Sequence, residues 1–212
     1  MKGILCFGDS ITHGRGEMPG IGWVGRLKEY YESQDFYNCV FNLGIPGNTS
    51  EDMLERFDVE AKARVIYRRP DSEYIMTISV GTNDIGGEGS PEAVVVDKEQ
   101  FRKNILSLIS KAKEFTEKLV FISTLPVDDS KSPVGGLYFT NKKQEEYNDI
   151  VKECCEKEKV LFLDLYSDWI KIDYLELLVD GIHPNDKGYE LMYKQIKEFL
   201  ITNKVIEWEK KE

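Results

Sequence analysis

At 212 residues, with 41% hydrophobic and 31% charged side chains, the chain is long enough to bury a sizeable core, which argues against both a disordered and a membrane protein. Its formal charge of −10, from 38 acidic against 28 basic side chains, argues against nucleic acid as a partner. No basic stripe offsets the deficit, and lysines interleave with glutamates in SKAKEFTEK and NKKQEEYND as on solvated helix faces.

In chain order, the first predicted element is a strand, GILCF (3–7), ending abruptly in Gly8-Asp9-Ser10. Its apolar run is too short for a signal-peptide core, so a cytoplasmic protein without a membrane span is expected. WVGRLKEYYES then reads as a helix, with Tyr30 and Tyr31 as packing residues. A second strand, CVFNL (39–43), leads into NLGIPGNTS. The helix TSEDMLERFDVEAKAR (49–64) opens with Thr49 or Ser50 as cap and acids in its first turn. A third strand, YIMTISV (74–80), runs into GTND and the irregular stretch 81–99.

EQFRKNILSLISKAKEF places Phe101, Ile105, Leu108, Ile109, Ala112 and Phe115 on one helical stripe. Strand four, LVFIST (119–124), precedes a second irregular stretch, 125–141. Strand five, VLFLDL (160–165), is followed by DGIHP and by the helix ELMYKQIKEFL. The apolar runs are continuous rather than alternating, as in strands covered on both faces, and their alternation with helices predicts a doubly wound α/β fold of one domain over 1–212. Binding sites in such folds lie beyond the carboxyl ends of the strands, which makes the two irregular stretches candidate rims of a pocket. Cys6, Cys39, Cys154 and Cys155 form neither a disulfide framework nor a C-x-x-C metal pattern and are expected to be free, mostly buried thiols.

Four polar motifs therefore leave the same edge of the sheet. A serine needs a neighbouring base, and the chain has only two histidines, His13 and His183. His183 follows Asp180 by three residues on a glycine-containing turn, a spacing at which the carboxylate can orient the ring. Ser10, His183 and Asp180 are accordingly candidates for nucleophile, general base and orienting acid. Backbone N–H groups of Ser10 and Gly47 and the Asn83 amide are candidate oxyanion donors. His13 has no acid at fixed spacing and reads as a pocket-wall or solvent residue.

FGDSIT with Ser10, GIPGNT with Gly47, VGTND with Asn83 and DGIHPN with His183 resemble the four ordered blocks of the GDSL esterase/lipase family, also called SGNH hydrolases. The resemblance spans residues 3–185; Ile11 replaces the leucine of the family's name. It implies a flavodoxin-like three-layer α/β/α domain with a five-stranded parallel sheet, hydrolysing small acyl or acetyl esters or thioesters without metal or cofactor. The family's nucleophile falls on Ser10, its base and acid on His183 and Asp180, and its oxyanion donors on Ser10, Gly47 and Asn83. Asp9 is expected to brace the turn and Asp84 to form an Asx-turn after strand three.

Competing readings are a strand-to-helix cap for Ser10, a flavodoxin-like loop cradling the phosphate of FMN, and a binding module with a silent site. The FMN reading leaves Asp180 and His183 unexplained, and the silent-site reading has no vacant catalytic position to support it. Among substrates, short-chain esters, acetylated carbohydrates and lysophospholipids fit better than triglyceride, because no long apolar insertion suggests a lid. The terminal VIEWEKKE could pack on the domain or on a partner, which leaves open a homo-oligomer.

Overall fold

Each of the five apolar runs becomes a strand. In the computed structural model, which describes residues 2–65 and 72–207, β1 (Lys2–Gly8) passes into the one-turn helix α1 (Ser10–His13) and then α2 (Gly22–Glu32). β2 (Cys39–Gly44) precedes α3 (Ser50–Arg64), and β3 (Glu73–Ile78) is followed by the short β4 (Gly87–Glu88) and α4 (Lys98–Lys113). β5 (Lys118–Ile122), the short β6 (Leu137–Tyr138) and α5 (Asn141–Glu158) come next, then β7 (Leu161–Leu163), α6 (Leu165–Trp169) and α7 (Asp186–Thr202).

The main sheet has the order β2-β1-β3-β5-β7, all pairs parallel, with Phe7 opposite Leu43 on one side and Ile78 on the other. Among the five long-range strands this is the flavodoxin-like order, and the chain reverses direction across the sheet at β1, so the ends of β1 and β3 flank a crevice. Side chains alternate between two cores, as the period of two requires. Leu5, Phe7, Met76, Ile78 and Phe121 face α3, α4 and α5, whereas Ile4, Cys6, Ile75, Val120 and Ile122 face α2, α6 and α7. Phe7 stacks on Phe57 of α3 with ring centroids 4.5 Å apart.

The helices begin where side-chain acceptors satisfy their first N–H groups. Thr49, not Ser50, caps α3 in a reciprocal box with Asp52; Asp97 caps α4, Thr140 caps α5 and Asn185 caps α7. The third and fourth strands end at Ile78 and Ile122, two residues earlier than expected. The fifth strand stops at Leu163 because Asp164 accepts the Ser167 N–H at 3.0 Å and starts α6. NKKQEEYND is only the first half of α5, which continues to Glu158 on a buried stripe of Tyr147, Ile150, Val151, Cys154 and Cys155.

All four cysteines are free and three are buried; burial pushes the thiols of Cys6 and Cys155 up to about 12, so they pack rather than react. Val205 and Ile206 pack on the core beside Leu200 and Glu207 pairs with Lys2 at 2.7 Å, while residues 208–212 lie outside the described residues. No helix among the described residues is long and apolar enough to cross a membrane.

Phe57 has no exposed surface and joins β1 to α3, so Phe57→Ala is expected to cost about 3–5 kcal/mol in urea unfolding. A loss below about 1 kcal/mol would mean that the face collapses around the missing ring.

Candidate active site

The site starts from the absence of a side chain. A Cβ on Gly8 would lie 1.9 Å from Thr12 Oγ1, so only glycine lets β1 turn directly into α1. Asp9 then caps the helix, its Oδ1 accepting the Ile11 N–H at 2.9 Å. Since Asp9 fills the capping role, the Ser10 hydroxyl is not needed for it and instead lies 2.8 Å from His183 Nε2. Asp9 brings a carboxylate among the N–H groups of this turn, where a phosphate would meet like charge.

His183 Nδ1 lies 2.7 Å from Asp180 Oδ2, while Asp180 Oδ1 accepts the backbone N–H groups of Ile182 at 3.1 Å and His183 at 2.9 Å. Burial alone would raise the Asp180 carboxyl, but these hydrogen bonds outweigh it and hold the group well below the ordinary carboxylate range. The acid therefore stays charged, and its bond to Nδ1 leaves Nε2 free to accept a proton from Ser10. Between the fifth strand and this turn come α6 and a 3-10 turn at Tyr174–Leu177.

Gly47 is the third residue of a turn closed by the Asn48 N–H on the Ile45 carbonyl at 3.1 Å. Pro46 before it and its own φ of +84° fit the type II pattern, which needs glycine at that position. Neither the Ser10 nor the Gly47 N–H donates to any group among the described residues. The Asn83 amide donates to the Asn48 carbonyl at 2.9 Å and makes a longer contact, 3.4 Å, with Asp9 Oδ2. Ser10, Gly47, Asn83, Asp180 and His183 all line one cleft of about 510 Å³. Such a set can deprotonate a hydroxyl and present the Ser10 and Gly47 N–H groups to a developing oxyanion, with the Asn83 amide joining them by giving up its long contact with Asp9.

Asp84 does not form the expected Asx-turn. Fully buried, it reaches across to α3, where its carboxylate accepts the Ser50 N–H at 3.0 Å and the Ser50 hydroxyl; Asn104 of α4 donates to that hydroxyl at 2.8 Å. A buried carboxylate that can reach a helix N-terminus is satisfied there in preference to a local turn. Asp84 thereby ties the Asn83 loop to the segment carrying Gly47.

Both irregular stretches form the rim, and they are zipped together. β4 and β6 pair antiparallel, Gly87 with Tyr138 and Glu88 with Leu137, and Val134, Leu137 and Phe139 line the cleft. Sequence analysis missed this ribbon because two-residue strands carry no periodicity. It also missed Arg15, which lines the cleft, and a clamp behind it: Arg26 holds Glu17 at 2.6 and 2.9 Å, Asp186 at 2.7 Å and Glu190 at 3.1 Å. His13 is exposed and does not line the cleft. No cluster able to hold a metal ion occurs among the described residues.

A family model described as GDSL-like Lipase/Acylhydrolase matches residues 6–191. The chain is 31% identical to a multidomain esterase of Ruminococcus flavefaciens over 90% of its own length, which is 27% of that larger protein. It is 25% identical to the isoamyl acetate-hydrolyzing esterase of Saccharomyces cerevisiae, covering 93% of this chain and 85% of that one. The crystal structure of the lipase/acylhydrolase from Enterococcus faecalis superposes with a TM-score of 0.75 at 23% identity, covering 94% of this chain and 95% of the other, and so has the same fold.

Burial pushes the Asp84 carboxyl up to about 6, against the opposing hydrogen bonds from Ser50. In the unfolded chain an aspartate titrates at about 4, so between about pH 4 and 6 the folded state binds more protons and loses stability as pH rises. The loss is absent below that window and complete above it. The unfolding free energy of the wild type relative to Asp84→Asn is therefore expected to fall by on the order of 2 kcal/mol between pH 4 and 6.5 and to stay level above. A constant difference across that range in urea titrations would show that Asp84 ionises in the fold as it does in the open chain.

Proposed function

Because this chain belongs to the GDSL-like lipase/acylhydrolase family and is an ester-hydrolysing enzyme, we propose that it is a serine hydrolase, one domain over residues 1–212, acting on short acyl or acetyl esters. Ser10 is the nucleophile, His183 the general base and Asp180 the acid that orients it. The observation that carries this reading is the continuous relay of 2.8 Å and 2.7 Å from Ser10 Oγ through the His183 ring to Asp180, opening into the cleft.

Ser10 Oγ attacks the ester carbonyl carbon as His183 Nε2 takes its proton, and Asp180 stabilises the imidazolium. The carbonyl oxygen, now an oxyanion, accepts from the Ser10 and Gly47 N–H groups and from Asn83 Nδ2. Collapse of the tetrahedral intermediate expels the alcohol, which leaves with the proton held by His183, and the acyl group remains on Ser10. Water then attacks the acyl-enzyme with His183 again as base, releasing the carboxylic acid and restoring the hydroxyl.

The wall of Val134, Leu137 and Phe139 suits a short apolar acyl group. Carbohydrate acetyl esters, lysophospholipids and thioesters are the substrate classes to compare within this reading. A cytoplasmic location belongs to the same proposal, supported by buried free thiols that suit a reducing compartment.

A p-nitrophenyl ester series run with wild type and Ser10→Ala tests the reading. Turnover is expected to be highest for acetyl to butyryl esters and to fall at least about 10³-fold in the variant, with labelling by a fluorophosphonate probe abolished. Continued labelling of Ser10→Ala would remove Ser10 as nucleophile. A preference for long acyl chains would overturn the substrate assignment.

A further inference from the structure

The cleft that holds Ser10 and His183 contains two charged residues among those that line it, Asp180 and Arg15, and only the first is committed. Both oxygens of Asp180 are used by the Ile182 and His183 N–H groups and the His183 ring. Arg15 is exposed, and its guanidinium makes no ion pair or hydrogen bond with any described residue.

The obvious local partner for Arg15 is Glu17, and the fold removes it. Glu17 is buried, its two oxygens taken by the Arg26 fork at 2.6 and 2.9 Å and by the Gly22 N–H at 2.7 Å. The backbone of Arg15 is pinned on both sides: its N–H donates to the Ser10 carbonyl at 2.9 Å, and its carbonyl accepts from the Tyr189 hydroxyl at 2.6 Å. A cation anchored at its root, denied its neighbouring acid and opening beside the nucleophile is placed to meet a charge on the substrate. Guanidinium pairs with carboxylate or phosphate through two parallel hydrogen bonds, a geometry in which arginine exceeds lysine. With −10 overall, the chain offers an anion no long-range attraction, so selection of one must rest on a local contact of this kind.

We propose that Arg15 is a specificity-determining residue of the cleft and that the preferred substrates are short acyl esters carrying an anionic group, a carboxylate or a phosphate, within reach of its guanidinium. The inference rests on the serine-hydrolase reading above. The anion sits on either the alcohol or the acyl half of the ester, and the test distinguishes the two.

The experiment compares kcat/KM within two matched pairs at low ionic strength: 4-acetoxybenzoate with its neutral methyl ester, and mono-p-nitrophenyl succinate with p-nitrophenyl methyl succinate. Intrinsic differences in leaving group cancel when the anionic-to-neutral ratio of each variant is divided by that of the wild type. In Arg15→Gln the ratio is expected to fall by roughly threefold to tenfold in one pair, further in Arg15→Glu, with partial recovery in Arg15→Lys. The wild-type ratio in that pair is also expected to shrink in 1 M salt, where screening shortens to about 3 Å. A fall in the first pair assigns the anion to the alcohol half, and a fall in the second to the acyl half. Ratios unchanged in both pairs for Arg15→Gln and Arg15→Glu overturn the proposal while leaving the hydrolase reading standing. A wild type inert toward all four esters and unlabelled by fluorophosphonate overturns that reading and this inference with it.

Discussion

The close approach of β1 and α1 at Gly8 governs everything around the site. β1 is hydrogen-bonded on both sides, to β2 and β3, so its end cannot shift without disturbing the centre of the sheet. The helix begins one residue beyond Asp9, and the space for a side chain on Gly8 is already filled by Thr12. Ser10 therefore inherits the rigidity of the central strand although it belongs to a helix of a single turn. Where a hydroxyl must be held in position, that rigidity is worth more than the propensity of the few residues that supply it.

Two buried carboxylates brace this edge without a hydrogen bond to the Ser10 hydroxyl or the His183 ring. Asp9 holds the turn through the Ile11 N–H, and Asp84 holds the start of α3 through Ser50. Burial pushes both carboxyls up to about 6, the proximity of Asp9 adding to the rise at Asp84. Both groups thus draw the fold toward lower pH, whereas Asp180, held low by its hydrogen bonds with His183, is charged throughout that range. The Arg26 clamp works from the other side of the cleft. Hydrogen bonds from its guanidinium keep Glu17 down at about 2, and its contacts with Asp186 and Glu190 fasten α2 to the first turns of α7, next to the His183 turn. Breaking such a partly buried network by removing one member is far more damaging than its net contribution suggests, because the remaining charges stay desolvated.

Much of this was legible in residues that are close in sequence. Continuous apolar runs marked all five strands, the Asp180-to-His183 spacing marked a carboxylate and an imidazole that the structure brings together, and Thr49 or Ser50 followed by acids marked the start of α3. What escaped notice shares one property: its partners are distant. Arg26 meets Asp186 and Glu190 across the whole chain, Asp84 meets Ser50, and Glu88 meets Leu137 in a ribbon too short for any pattern. An Asx-turn at Asp84 is the local alternative that a linear reading can see, whereas Ser50 lies 34 residues away.

The sequence alone determined the alternation of strands and helices, and it determined which polar residues stand at the strand ends, because burial on both faces demands unbroken apolar runs and turns demand particular residues. Only the tertiary structure decided how those ends converge: that Asp9 rather than Ser10 serves as the cap, that His183 comes within hydrogen-bonding reach of Ser10, and that Glu17 turns inward to Arg26 and leaves Arg15 open to the cleft. The physical reason is that each of these outcomes is a competition among partners for one donor or acceptor, and the winner is set by distances in space that residue spacing does not encode.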